Sequence, residues 1–375
     1  MIDCDAPPGT NREAGMRWYD KGFGFPPSMD SSQVKPRRPK IPRWLLMVLM
    51  YAISIGSLAW ALRGYDFAQI KPAILSVKWG WVLLAVVFDL TVYIFHGWRW
   101  NILLSPVERL GLWRTVQSIY IGLFANEVLP LRPGEIIRCY LLAFWSKIPL
   151  SLTLTSMAIE RVLDGIWLIL VFIVASKLMV MPRPLVDFAQ ALGIGVAAAT
   201  VIFLYVLFHK QHAHSMMSSH PWTQKFIHVL DEIHHMGNWR TLAGAFGVTC
   251  LYWLLQVLSV WALFKSYEMD LAAWHAAIVL VIIRLGTIIP NAPGNLGVFN
   301  SVAKVALMLL GVEAGTAFEL SVVMWVALTF PLLIGGFVAL FVTGLSIGEI
   351  HRHARTQHHA HRHLGRHHET PASRQ

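Results

Sequence analysis

The chain has 375 residues, of which 55% are hydrophobic and only 14% charged, with a formal net charge of +10. A soluble domain carries roughly a quarter charged residues, so this composition excludes an ordinary soluble enzyme and describes a polytopic, all-α integral membrane protein. The positive excess does not indicate nucleic acid, because the basic residues gather at the chain ends: five Lys and Arg within 35–43 and five Arg after residue 350.

Residues 1–43 are rich in Pro, Gly and charge and read as a disordered, basic cytoplasmic arm. The first apolar run, 44–62, holds nineteen residues without a charge. It starts too late and runs too long for a signal peptide, so it reads as an anchor that stays. Further full spans are expected at about 79–98, 152–179, 189–208, 242–264 and 318–346, six in all. A His-rich cytoplasmic loop lies at 209–240, and a His/Arg-rich cytoplasmic tail follows at 347–375.

Between the spans lie two shorter apolar hairpins, at 115–149 and 275–312. The arm 115–129 rises roughly 22 Å at 1.5 Å per residue, against a hydrocarbon core of ~30 Å. Each hairpin is either a pair of tilted spans or a re-entrant loop. Both are broken by the same P-x-x-P-G pattern, PLRPGE at 130–135 and PNAPGN at 290–295. An offset of 160 places Pro130, Pro133 and Gly134 on Pro290, Pro293 and Gly294, and puts Glu160 one residue from Glu319. The domain 44–346 then divides into halves at about 79–179 and 242–346. Counting spans from a cytoplasmic basic N-terminus gives the halves opposite orientations and leaves both termini inside. This is the pattern of an inverted repeat with a site between broken helices.

A Pro-Gly break frees backbone N–H groups at the start of the next half-helix, where the dipole suits an anion such as phosphate. Arg132 and Arg138 flank the first break, and Asn291, Asn295 and Asn300 surround the second. Arg284 sits inside AAIVLVIIRLGTIIP, where an isolated charge costs at least ~2.5 kcal/mol and demands a partner or a wet cavity. MAIERVLDGIW places Glu160, Arg161 and Asp164 within one helical turn and a bit, as a paired cluster or a headgroup site. Asp89 is a lone acid in VVFDLTVY.

The remaining signals point to no other chemistry. Cys4, Cys139 and Cys250 form no C-x-x-C pair. Seven His lie in 209–240 and eight in 351–368, but no span pairs His with His or Asp four residues on, so metal transport is the weaker reading. No catalytic constellation, nucleotide motif or cofactor motif is present, and no enzyme activity or cofactor is expected.

The stretches GWRWNILL at 97–104, NEVLPLRPGEIIRCYLL at 126–142, ERVLDGIW at 160–167 and IIPNAPGNLGVFNSVA at 288–303 resemble the lysylphosphatidylglycerol synthase transmembrane-domain family, also called flippase-like proteins. The resemblance covers about residues 41–347. It implies a prokaryotic inner-membrane protein linked to moving lipids between leaflets. Some members carry a C-terminal aminoacyltransferase, which has no counterpart in this tail, and stand-alone members are associated with hopanoid or glycolipid pathways. Arg132, Glu135, Arg138, Glu160, Arg161 and Asp164 carry over as motif residues. The expectation is therefore a flippase-like transporter, with phosphate held by Arg138, Arg284 and the half-helix ends, and an amine or hydroxyl held by Glu135, Glu160 or Asp164. Expected partners are a membrane lipid, anionic inner-leaflet lipids at the basic arms and a lipid-biosynthesis enzyme. The alternative is a non-transporting scaffold for such an enzyme.

Overall fold

In lipid every backbone polar group needs an internal partner, so apolar runs of this length become helices. A computed structural model of the chain describes residues 43–66, 68, 70–129, 132–208, 239–288 and 292–344. Among them all regular structure is helical: α1 (Arg43–Leu62), α2 (Ile70–Ser76), α3 (Trp79–Leu104), α4 (Leu112–Val128), α5 (Gly134–Ser146), α6 (Leu150–Leu178) and α7 (Arg183–Phe208). After the loop come α8 (Trp239–Ser266), α9 (Ala273–Gly286), a 3-10 turn (Pro293–Asn295), α10 (Val298–Leu309) and α11 (Ala314–Thr343). The terminal arm, the His-rich loop to residue 238, the tail from residue 345, and Pro130, Pro290 and Asn291 lie outside the described residues.

Four of these helices, α3, α7, α8 and α11, are long and apolar enough to cross a membrane. The expected six are matched in part. The apolar stretch of α1 is shorter, at Val48–Leu62. Helix α6 has 29 residues but carries Glu160, Arg161, Asp164 and Lys177.

Helices α3 and α8 make the central pair, and α9, α10 and α11 join them around the larger apolar core. A second core surrounds the fully buried Trp100, drawing on α3, α4, α5, α6 and α8. Helix α4 packs on α3, α5 and α11, while α9 packs on α8, α10 and α6. Helix α7 rests on α6 and is exposed along most of its length. Helix α1 docks on α10 through polar groups inside an apolar setting. Lys304 Nζ donates to the Ala61 carbonyl at 2.9 Å, and Ser301 Oγ donates to the Ser57 carbonyl at 2.6 Å. At the exposed turn after α8, the hydrogen bond and charge of Lys78 hold the Glu268 carboxyl below its usual range.

The two breaks are built differently. Helix α5 starts at Gly134, pressed so closely on α4 that an added Cβ would lie 1.7 Å from the Gly122 carbonyl oxygen. In the second break Gly294 takes φ 73°, inside the 3-10 turn, and α10 starts only at Val298. The second half-helix thus begins four residues beyond the expected Gly294, because Gly294 and Gly297 both adopt left-handed backbone there.

Candidate functional site

A cavity of about 540 Å³ opens between the two breaks and helices α3, α4, α5, α6, α7, α8, α9 and α11. Its wall mixes Arg132, Arg138, Arg161, Arg284, Glu127, Glu135 and Asp164 with apolar side chains such as Ile119, Leu123, Leu168 and Leu192.

One side of this wall is an ion-pair network that closes on itself. Arg99, with no exposed surface, reaches from α3 to α6. Its Nε lies 3.3 Å from Glu160 Oε1, and its Nη atoms lie 2.5 and 3.3 Å from the Asp164 carboxylate. It also donates to Thr249 Oγ1 at 3.3 Å, and stands 4.9 Å over the Tyr252 ring. Its Nη2 lies 3.1 Å from His96 Nε2, which accepts only as a neutral ring. Arg138 takes the other face of Glu160, at 2.8 Å, and donates to Glu135 at 3.1 Å from its Nε. Its guanidinium lies 4.7 Å from the Trp100 ring, whose Nε1 donates to Ser156. Arg161 is half exposed and joins Glu135 at 3.3 Å and Asp164 at 3.7 Å. Tyr252 donates its hydroxyl to Asp164. Three arginines thus answer three acids. Buried charges are tolerated only when paired and hydrogen-bonded in this way.

The other side is less occupied. Arg132, on the first break, donates to Asn295 Oδ1 and, at 3.2 Å, to the Thr287 carbonyl. The bond to Asn295 joins the two broken segments, and the bond to Thr287 ties Arg132 to the end of α9. Arg132 adopts a left-handed backbone, φ 49°, that aims it across the gap. Arg284, exposed along the cavity wall, gives one hydrogen bond, from Nη2 to Gln256 Oε1 at 3.0 Å. Asp89 is buried beside Tyr93 and within the field of Arg284. Among the described residues, Asp89 Oδ2 and Glu127 Oε2 have no hydrogen-bond partner.

Several expected residues therefore change role. Arg132, Glu135, Arg138, Arg161, Asp164, Arg284 and Asn295 do line one cavity. Glu160 is fully buried behind them and does not. Arg138, 2% exposed, has its Nε and Nη2 on carboxylates and braces the wall. One N–H at each break is already bonded within the protein. The Gly134 N–H donates to Asn126 Oδ1 at 2.7 Å, and the Gly297 N–H donates to Asn300 Oδ1 at 3.2 Å. Pro133 is the N-cap of α5 and Pro293 opens the 3-10 turn.

The span expected at 79–98 stops one residue short of Arg99. Helix α3 continues to Leu104. The signal was there in GWRWNILL, where apolar residues continue past the charge at helical spacing. The expected site also leaves out Glu127, which looks solvated at the edge of a Pro-Gly break.

The family model for the lysylphosphatidylglycerol synthase TM region matches residues 47–336, which contain the whole cavity. A UPF0104 membrane protein of Methanocaldococcus jannaschii is 20% identical over 327 residues, covering 80% of this chain and 94% of that protein. A UPF0104 membrane protein of Methanothermobacter thermautotrophicus is 22% identical over 332 residues, covering 80% of this chain and 96% of that protein. No solved structure matches. The chain therefore belongs to the lysylphosphatidylglycerol synthase transmembrane region family.

Proposed function

We propose that this protein is a flippase-like transporter that moves a phosphate-bearing lipid between the leaflets of the inner membrane, rather than an enzyme. The observation that carries the reading is Arg284. It is a cation within the apolar run of α9, held among the described residues by one hydrogen bond and exposed in a cavity large enough for a headgroup. A guanidinium with open N–H groups in a low-dielectric pocket grips a phosphodiester in two places. The apolar part of the wall suits the first carbons of the acyl chains. Helix α7, packed on α6 and otherwise open to lipid, supplies Leu192 and Val196 to the cavity and offers a lateral route for the chains.

An inverted repeat of α3–α6 and α8–α11 fits the packing. Exchange α3 with α8, α4 with α9, α5 with α10 and α6 with α11. Every principal contact within this set then maps onto another: α4 on α11 becomes α9 on α6, and α5 on α6 becomes α10 on α11. Two halves related in this way can rock about the shared breaks and expose the cavity to either side. In this reading the short hairpin arms bring the count of crossing segments beyond the four long apolar helices, and both basic termini face the cytoplasm, where anionic lipid attracts them.

The test is reconstitution of the full chain into vesicles with a fluorescent phospholipid, followed by quenching of the outer leaflet. Accelerated loss of the protected inner-leaflet signal relative to protein-free vesicles is expected. An unchanged rate with correctly folded, inserted protein would overturn transport and favour a scaffold that recruits a lipid-modifying enzyme.

A further inference from the structure

The hydrogen-bond account of the cavity separates its acids into two kinds. Glu135, Glu160 and Asp164 are each held by at least one arginine within hydrogen-bonding distance. Glu127 is not: it lines the cavity, and among the described residues nothing hydrogen-bonds its Oε2. Arg132 and Arg284 lie within its electrostatic reach, but Arg132 is turned onto Asn295 and the Thr287 carbonyl, and Arg284 onto Gln256. A buried carboxylate oxygen without a donor costs free energy unless something supplies one.

Among the described residues around the cavity, five arginines stand against five carboxyl groups. Arg99, Arg138 and Arg161 are matched by Glu135, Glu160 and Asp164. Among the described residues Arg132 and Arg284 form no ion pair, and the carboxyls within their electrostatic reach are Glu127 and, for Arg284, also Asp89, buried on α3. A ligand of zero net charge enters such a pocket without leaving a charge uncompensated. A net anion does not, and in a low-dielectric site the difference is large.

We propose that the cavity selects a zwitterionic headgroup, a phosphodiester joined to a protonated amine, with the phosphodiester on Arg284 and the ammonium on Glu127. This deepens the transport reading and rests on it for the identity of the ligand as a lipid. The ammonium pairs with the Glu127 carboxylate, which lines the cavity with no arginine bonded to it among the described residues. The phosphodiester takes the guanidinium N–H groups that Gln256 leaves open. The same chemistry explains why Glu127 stands apart from the closed network of α3, α5 and α6.

The experiment titrates the full chain, purified in detergent, with short-chain phosphatidylethanolamine and with phosphatidylglycerol, and reads bound lipid by native mass spectrometry. Phosphatidylethanolamine is expected to bind the wild type roughly tenfold or more tightly than phosphatidylglycerol, one charge-assisted bond apart. Glu127→Gln is expected to erase that preference while leaving phosphatidylglycerol binding in place. Arg284→Gln is expected to weaken both lipids alike. Equal binding of the two lipids by the wild type, or a preference that survives Glu127→Gln, overturns the assignment while leaving lipid binding intact. Binding of neither lipid overturns the transport reading together with it. Should Glu127→Gln not fold, Glu127→Asp, which keeps the charge on a shorter stem, is expected to fold and reduce the preference, and an unchanged preference would count against the proposal.

Discussion

Arg99 is the residue whose loss the fold should feel most. Replacing it with Gln removes the bonds to Glu160 at 3.3 Å and to Asp164 at 2.5 and 3.3 Å, all at a side chain with no exposed surface. Glu160 keeps Arg138, but Asp164 keeps only the half-exposed Arg161 at 3.7 Å and the Tyr252 hydroxyl. Removing one partner of a buried ion pair costs about 3–5 kcal/mol. At ~2 °C or more per kcal/mol for a chain of this size, the melting midpoint should fall by roughly 6–10 °C. Thermal unfolding in detergent, followed by the fluorescence of the sixteen Trp, reads this directly. Arg161→Gln is the internal control, since its side chain is 49% exposed and its pairs are worth about 1 kcal/mol or less. The double variant Arg99→Gln/Asp164→Asn should lose less than the sum of the two single changes, because it leaves no acid stranded at that position. An Arg99→Gln protein that melts with the wild type, or a double variant whose loss equals the sum, would refute the buried network as the brace of α3 against α6.

Three further outcomes are expected. Gly134→Ala should lower the yield of monodisperse protein and its melting midpoint, because the new Cβ meets the Gly122 carbonyl at 1.7 Å and Asn126 Oδ1 at 2.6 Å. Gly195→Ala on α7, where an added Cβ meets nothing within 4 Å, should be neutral or slightly stabilising. Deleting residues 351–375, which lie beyond the cavity-forming helices, should leave lipid translocation in vesicles unchanged. Complete loss of transport by a normally folded truncation would instead favour the scaffold or metal-transport reading.

The helices were legible because lipid admits so few ways to satisfy a backbone, and the apolar runs record that constraint directly. The Pro-Gly breaks were equally plain, since nothing else explains those residues in such company. Their relation across the molecule was legible only through the 160-residue offset, and the contact that joins them, Arg132 with Asn295, is not a pair that this offset superposes. Glu319, the expected counterpart of Glu160, accepts instead from the Tyr65 hydroxyl at 2.9 Å. What the sequence hid was which charges satisfy which. A run of Glu160, Arg161 and Asp164 looks self-contained, yet their strongest partners, Arg99 and Arg138, come from other helices 61 and 22 residues away. Arg138 and Arg284 look alike in sequence. Only the tertiary arrangement gives one to carboxylates and leaves the other facing a cavity.

The most direct measurement of the central claim compares lipid translocation and thermal stability for wild type, Arg284→Gln and Arg284→Lys in the same vesicles. Among the described residues Arg284 gives a single hydrogen bond, to Gln256, and forms no ion pair, so its loss should cost little stability, about 1 kcal/mol. The account predicts that Arg284→Gln melts close to wild type yet translocates at least about tenfold more slowly, the effect of losing one charge-assisted contact to phosphate. Arg284→Lys should remain impaired, because a point charge does not replace the planar fork. A stable Arg284→Gln protein that moves lipid at the wild-type rate would contradict the account.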